Sequence, residues 1–245
     1  LPAAGLAVCL VYGGDLLLRV ASLWRNRGRT KIAIAEKVTR DVIQLSFPRA
    51  LAMPVATEHD RALAQKTLPE LVKHEHGLDL ERFLGELDKA AGTSLSSADE
   101  KRMVDRGLMT WAEVEHLANA GMSIGSHCFS HRVLQTLKPS EYDLELGGSR
   151  RELEERLGRP VQTVAYPVGY PLGNDEGLRR AVRDAGYVLG FTVRAGVLSN
   201  KNMDPLDVPR ILMDTSYDLQ HFPAMTTIPG LAPRSAAGTV HVHRR

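Results

Sequence analysis

Two histidines four residues apart, His127 and His131, are the residues of this chain best suited to chemistry. They follow a short apolar run, Gly121 to Gly125, that predicts a strand. Imidazoles at positions i and i+4 can face one metal ion if the second lies on a nascent helical turn. The alternative is a chance pair with one buried and one surface histidine. If the pair is functional, the end of a strand in an α/β barrel is the expected place for it.

The composition of the chain is that of an ordinary folded protein. The chain has 245 residues, of which 43% are hydrophobic and 24% are charged, and its formal net charge is +2. Nearly balanced charge gives no indication of a nucleic-acid partner. The two cysteines, Cys9 and Cys128, do not form a disulfide framework, and no apolar run is long enough to predict a membrane span. The lack of a signal segment and of disulfides favours a cytoplasmic location, although the N-terminus looks incomplete.

Strand and helix patterns alternate along most of the chain, which predicts an α/β fold with a parallel sheet. Strands are predicted at 6–12, 122–128, 161–166, 187–193 and 208–213, and helices at 111–120, 139–157 and 175–185. Thr110 and Glu113 form a capping-box pattern at the start of the first of these helices. We expect one domain over residues 1–228, a helical insertion over about 16–107, and a flexible tail over 229–245.

Several motifs resemble those of polysaccharide deacetylases, the carbohydrate esterase family 4. The segment Met109 to His127, with His131 and Leu134, resembles the second motif region of that family. The run 164–169, Val-Ala-Tyr-Pro-Val-Gly, resembles the third motif in its Ala-Tyr-Pro form. The sequence that follows, from Ala185 to Val193 and on to Pro209-Arg210-Ile211, also matches that branch of the family. The stretch between residues 12 and 108 resembles the large insertion of some exopolysaccharide-linked members.

The resemblance implies a distorted (β/α) barrel that removes N-acetyl groups from amino sugars or polysaccharides. It implies a divalent metal, usually zinc, held by His127, His131 and one aspartate. It also implies that the backbone N–H of Val168 binds the tetrahedral oxyanion, next to Tyr166 and Pro167 in the third motif. Three protein ligands and an open position suit a zinc ion that polarises an amide carbonyl.

The first motif of the family, a Thr-Phe-Asp-Asp-Gly run, has no counterpart here, since no Asp-Asp pair occurs in the chain. Three explanations are open. The recorded sequence starts after the first barrel strand, the protein is a degenerate homologue without catalysis, or Asp15 replaces the missing ligand. The family's late Leu-x-His motif, which supplies a general acid, has no clear match either.

Three functions therefore stay open at this point. The first is a metal-dependent deacetylase, the second a sugar-binding or scaffolding protein that keeps the fold without the base, and the third an α/β domain with structural histidines. Because the carboxylate ligand and base are missing, we expect the chain as written to bind metal weakly and to show no measurable deacetylation. A missing strand would also leave open sheet edges, so the chain should tend to associate.

Overall fold

The computed structural model describes residues 8–10, 38–92, 109–194 and 204–210. Two groups of elements occur. Residues 38–92 form a unit that we call the hairpin–helix unit. Residues 8–10, 109–194 and 204–210 form a second unit, the α/β unit. No helix in these ranges has both the length and the apolar character needed to cross a membrane.

The hairpin–helix unit contains two strands and two helices. Strands β2 (Val42–Leu45) and β3 (Leu51–Pro54) pair antiparallel. Helices α1 (Glu58–His74) and α2 (Leu80–Ala91) follow. The insertion that was predicted as helical contains two helices in its described part, and it also contains a hairpin over residues 42–54 that was not predicted. The alternation in Val42–Leu45, with Ile43 and Leu45 buried and their neighbours exposed, is the period of a half-buried strand.

The core of this unit is built from aliphatic and aromatic side chains of all four elements. Its fully enclosed members are Ile43, Val55, Leu68, Phe83, Leu87 and Ala91. A capping box of Thr57 and Asp60 begins α1, and the Asp79 side chain accepts the Arg82 N–H at the start of α2. Both helices are thus positioned by local sequence signals as well as by apolar burial.

The α/β unit contains four strands in parallel register. Strand β1 (Val8–Leu10) pairs with β4 (Ser123–Gly125), and β5 (Thr163–Ala165) pairs with β6 (Leu189–Phe191). Single parallel bridges join Ser126 to Val164 and Phe191 to Val208. The parallel strands of this unit therefore lie side by side in the order β1, β4, β5, β6, and Val208 follows next to β6. The α/β class is confirmed, while a closed barrel is not seen within the described ranges.

Three α-helices lie between or beside these strands. They are α3 (Trp111–Asn119), α4 (Ser149–Leu157) and α5 (Glu176–Asp184). The predicted capping box of α3 is present, with the Glu113 N–H donating to the Thr110 hydroxyl and the Glu113 carboxylate accepting the Thr110 N–H. Gly121 follows the end of this helix with φ 91°, as expected for a residue at C′.

The helix predicted over residues 139–157 is divided into three parts. A short 3₁₀ turn, Pro139–Glu141, is followed by a π-helical turn, Asp143–Gly148, which runs directly into α4. Turns of π-helix inside helices are uncommon and often lie at functional sites. The hydrophobic periodicity of this segment did not distinguish a π turn from a regular helix.

The two units meet at the segment that follows α1. The Gly77 N–H donates to the Thr136 carbonyl at 2.7 Å, and the Arg132 guanidinium donates to the Leu78 carbonyl at 3.2 Å. Arg132 also pairs with Glu141. Because Arg132 follows His131 directly, the hairpin–helix unit contacts the chain immediately after the predicted metal ligands.

Candidate functional site

The two predicted metal ligands lie side by side at the end of β4. The Ser126 N–H donates to the Thr163 carbonyl, and the Ala165 N–H donates to the Ser126 carbonyl, each at 2.9 Å. His127 therefore leaves the sheet at the C-terminal edge, next to the end of β5. The ring centroids of His127 and His131 are 4.7 Å apart, with the ring planes at 83°. The two rings therefore lie close together, as a shared metal ion would require.

The backbone reaches this arrangement through two left-handed residues instead of a helical turn. We call residues 126–131 the histidine loop. Within it, Cys128 has φ 65° and His131 has φ 58°. A left-handed residue other than glycine costs about 1–2 kcal/mol. The two rings therefore come together without the nascent helical turn that was considered for His131, because the chain reverses through two strained residues that four-residue spacing alone cannot indicate.

The environment of His127 favours a neutral imidazole. Its Nδ1 lies 2.5 Å from the Ala165 carbonyl oxygen, which can only accept, so the ring proton is on Nδ1 and the lone pair is on Nε2. Burial lowers the pKa of His127 to about 4, against an opposing contribution from the Ala165 hydrogen bond. The positive charge of Arg210 lowers this pKa further. A neutral ring oriented by a backbone carbonyl is the usual state of a zinc ligand.

This histidine pair fits a zinc ion in part. Two imidazoles bound to one tetrahedral zinc, with Zn–N distances of about 2.1 Å, have centroids roughly 5 Å apart. The observed 4.7 Å is close to that separation. Within the described ranges no group of three or more His, Cys, Asp or Glu side chains could hold a metal ion. The pair would therefore supply two ligands, and a third His, Cys, Asp or Glu ligand would have to come from residues outside those ranges. Asp15, the third predicted ligand, lies there.

The predicted oxyanion turn begins two residues after Ala165, whose carbonyl oxygen contacts His127. Pro167–Gly169 forms a 3₁₀ turn in which Val168 has φ 63° and ψ −21°. Gly169 has φ 83°, and its carbonyl accepts the Val193 N–H at 2.9 Å. A Cβ at position 169 would collide with the Val193 side chain, so only glycine fits there. The turn thus has a fixed, strained shape at the same sheet edge as the histidines.

The other two third-motif residues make packing contacts. Tyr166 is buried, and its hydroxyl donates to the Leu206 carbonyl at 2.7 Å. Burial raises the pKa of this phenol, so it stays protonated. Pro167 is buried as the first residue of the turn. Their placement indicates that they shape the turn that carries Val168, and a direct role for either in catalysis stays a prediction.

Two polar residues near the histidine loop had no assigned role in the sequence analysis. Arg210 is close enough to His127 to lower its pKa, and its Nε donates to the Thr192 carbonyl at 2.6 Å. Glu145, in the π turn, is only 3% exposed and accepts hydrogen bonds from the histidine loop. Arg210 lies inside a quoted motif, so the motif could have suggested it. Glu145 looked like one of many acidic residues on an amphipathic helix.

Comparisons with known proteins agree with the motif assignment. The family model for polysaccharide deacetylases matches residues 89–190. YxkH of Bacillus subtilis (strain 168), which carries a provisional polysaccharide deacetylase name, is 30% identical over 91 residues. That alignment covers 37% of this chain and 32% of YxkH, so the chain matches about a third of the length of this relative.

Solved structures of deacetylases show partial likeness. The deacetylase PplD of Streptococcus pyogenes, in complex with acetate, has 22% identity and a TM-score of 0.44, covering 50% of this chain and 53% of PplD. The polysaccharide deacetylase BC0361 of Bacillus cereus has 19% identity and a TM-score of 0.44, covering 64% of this chain and 58% of BC0361. The family-model match confirms the resemblance first seen in the motifs: residues 89–190 are similar in sequence to the polysaccharide deacetylase family.

Proposed function

We propose that this protein is a zinc-dependent hydrolase that removes N-acetyl groups from an amino sugar or polysaccharide, exopolysaccharides included. The observation that carries the proposal is the edge-to-face pair of imidazoles, His127 and His131, at the sheet edge, within the segment that matches the deacetylase family. The parallel order of the strands is compatible with part of a distorted (β/α) barrel, which we propose as the complete architecture.

The chemistry of the proposed reaction is amide hydrolysis. The oxygen of a water molecule bonds to the acetyl carbon, the carbon–nitrogen bond breaks, and the sugar nitrogen takes a proton and leaves as an amine. A zinc ion, when bound, would supply Lewis acidity toward the acetamide carbonyl. His127 and His131 would hold the ion through their lone-pair nitrogens. The carboxylate that would act as the base is not assigned, so we expect slow turnover.

The turn at Val168 is suited to binding developing negative charge. Its left-handed conformation fixes the direction of the Val168 N–H before substrate arrives, and such preorganised donors stabilise an oxyanion strongly. Arg210 places a positive charge beside His127, which would also favour an anionic intermediate and an acetate product.

Zinc titration of the 245-residue chain is the experiment that tests this proposal. Calorimetry should show a site that is weakened at least 100-fold by His127→Ala and by His131→Ala. Because the chain contains nine histidines, His116→Ala, an exposed position on α3, is the matched control and should leave this site unchanged. Equal zinc binding by the wild-type chain and both site variants would contradict the proposal.

Acetate release from an N-acetylglucosamine oligosaccharide should be measured in the same samples. We expect little release from the wild-type chain for want of an identified base, a contribution of roughly 10²–10⁴-fold in typical enzymes. Robust release that His127→Ala abolishes would support the activity and assign the base to a carboxylate outside the described ranges, such as Asp15. Robust release that survives His127→Ala would contradict the proposed site.

A further inference from the structure

Glu145 is the most deeply buried carboxylate in the described part of the chain, with 3% exposure. It belongs to the π turn Asp143–Gly148 and reaches across to the histidine loop. One carboxylate oxygen accepts the Phe129 N–H at 3.2 Å and the Ser130 N–H at 2.9 Å. The other oxygen accepts the Ser130 hydroxyl. A buried carboxylate is costly, so three donors from one short segment are a substantial compensation.

The residues that Glu145 binds lie between the two strained residues of the loop. Cys128 and His131, both left-handed, flank Phe129 and Ser130 on either side. Strained backbone persists only where surrounding contacts fix it. The hydrogen bonds to Glu145 hold the middle of the loop, and the loop in turn sets where His131 stands relative to His127.

A second set of hydrogen bonds fixes the base of the loop to the same helix. The Ser126 hydroxyl lies 2.8 Å from the Ser149 hydroxyl and accepts the Cys128 N–H at 3.2 Å. The Tyr187 hydroxyl donates to the Leu146 carbonyl at 2.9 Å, next to Glu145 in the π turn. The π turn is therefore anchored on both sides, which prevents Glu145 from relaxing away from the loop.

From this geometry we infer that Glu145 is a positioning residue for the proposed metal site. It holds the histidine loop in its strained conformation, so that both imidazoles face one point before any ion binds. Only the expected effect of Glu145 on zinc affinity rests on the proposed function. The conformational part, that Glu145 keeps the two rings adjacent, stands on the hydrogen bonds of the chain alone.

The test uses two variants of Glu145 and one matched control. Glu145→Ala removes all three acceptor contacts. Glu145→Gln keeps the shape, because its amide oxygen can accept both backbone N–H groups and its NH₂ can donate to the Ser130 hydroxyl. Asp207→Ala is the control, since Asp207 is also buried and accepts two backbone N–H groups, from Leu172 and Gly173, in another loop.

The first readout needs no metal. In the metal-free chain, nuclear Overhauser contacts between the His127 and His131 ring protons should be present in the wild type, Glu145→Gln and Asp207→Ala, and lost in Glu145→Ala. The second readout is zinc affinity, which should fall at least tenfold in Glu145→Ala and less than threefold in Glu145→Gln and Asp207→Ala. All are measured well below each variant's melting temperature.

The possible failures are distinguishable. Ring contacts and zinc affinity that both survive Glu145→Ala would overturn the positioning role. A wild-type chain that shows the ring contacts without binding zinc, while Glu145→Ala loses them, would refute the proposed function and support the conformational role of Glu145. If Glu145→Ala and Asp207→Ala lose the ring contacts to the same extent, Glu145 contributes only to the general stability of the fold. That result would overturn the inference. If Glu145→Ala does not fold, a Glu145→Gln variant that loses the ring contacts would overturn it, and one that keeps them would support it.

Discussion

Within the described residues, the hairpin–helix unit has an entirely apolar core, whereas the α/β unit buries polar side chains as well. The buried polar residues are Ser126, Thr136, Glu145, Ser149, Thr192 and Asp207. The non-glycine residues with positive φ are Cys128, His131 and Val168. All of them lie in the α/β unit. Buried polarity and backbone strain both cost stability, and they occur together in the unit that carries the histidine pair.

The difference indicates what each unit contributes. An apolar core needs only shape and volume, so the hairpin–helix unit is suited to a supporting role. The polar groups of the α/β unit fix particular atoms in particular places, as a binding or catalytic site requires. The predictions below test this contrast, from the largest expected effect on the free energy of unfolding to the smallest.

The largest effect is expected in the apolar core. Phe83 is completely buried in α2, so Phe83→Ala should lower the free energy of unfolding by about 3–5 kcal/mol through lost burial and a cavity. Because its core is separate from that of the α/β unit, zinc affinity measured below the melting transition should change less than threefold. Chemical denaturation and zinc titration of the same variant check both parts. A tenfold loss of zinc affinity in folded protein would break the contrast between the units.

Relief of the backbone strain at Val168 should change the free energy of unfolding by a smaller amount and in the opposite direction. Glycine tolerates φ near +60°, so Val168→Gly should leave stability unchanged or raise it by up to about 1 kcal/mol. The matched change Val164→Gly removes a buried side chain from β5, and it should destabilise by at least about 2 kcal/mol. Denaturant melts of both variants give the comparison. A large loss of stability in Val168→Gly would mean that this turn is not strained in solution.

The smallest expected effect is a pH dependence of the free energy of unfolding, which comes from the ion pair between Arg179 and Asp204 in the α/β unit. The Arg179 guanidinium lies 2.8 Å from both Asp204 carboxylate oxygens, and this pair lowers the pKa of Asp204 from its ordinary 3.8. A carboxylate with a lowered folded-state pKa stabilises the fold above about pH 4, and this contribution disappears as the pH falls further. Because Asp204 is 40% exposed, solvent screens the pair and the effect should be small.

Stability measured from pH 6 to pH 2 in the wild type and in Asp204→Asn checks the sign. The wild type should lose its small advantage over the variant below about pH 4. An advantage of the wild type that grows as the pH falls would contradict the assignment, because protonation removes the negative charge that pairs with Arg179.

The sequence predicted the features of this molecule that depend on local chemistry. The capping box at Thr110 and the alternation of strands and helices in the α/β unit were both readable, because each has a local signal in residue type or spacing. The family motifs pointed to His127, His131 and the turn at Val168. The structure places the two histidine rings together and brings the end of β5, two residues before that turn, into contact with His127.

What the sequence did not reveal depends on contacts between distant segments. Glu145 is 15 residues from Ser130 in sequence, and nothing in its helical surroundings marks it as buried. The hairpin of residues 42–54 is stabilised by packing on α1 and α2, and its two four-residue strands were too short to stand out. The left-handed backbone at Cys128 and His131 is uncommon for residues other than glycine, and no local sequence signal predicted it.

The central claim is that the α/β unit positions His127 and His131 on one metal ion. Zinc X-ray absorption spectroscopy of the 245-residue chain, loaded with one equivalent of zinc, tests it most directly. The claim predicts at least two imidazole ligands with Zn–N distances of about 2.0–2.1 Å. It also predicts that His116→Ala leaves this imidazole signal unchanged, while His127→Ala and His131→Ala each reduce it by one ring. An imidazole signal that stays the same in both site variants would contradict the account.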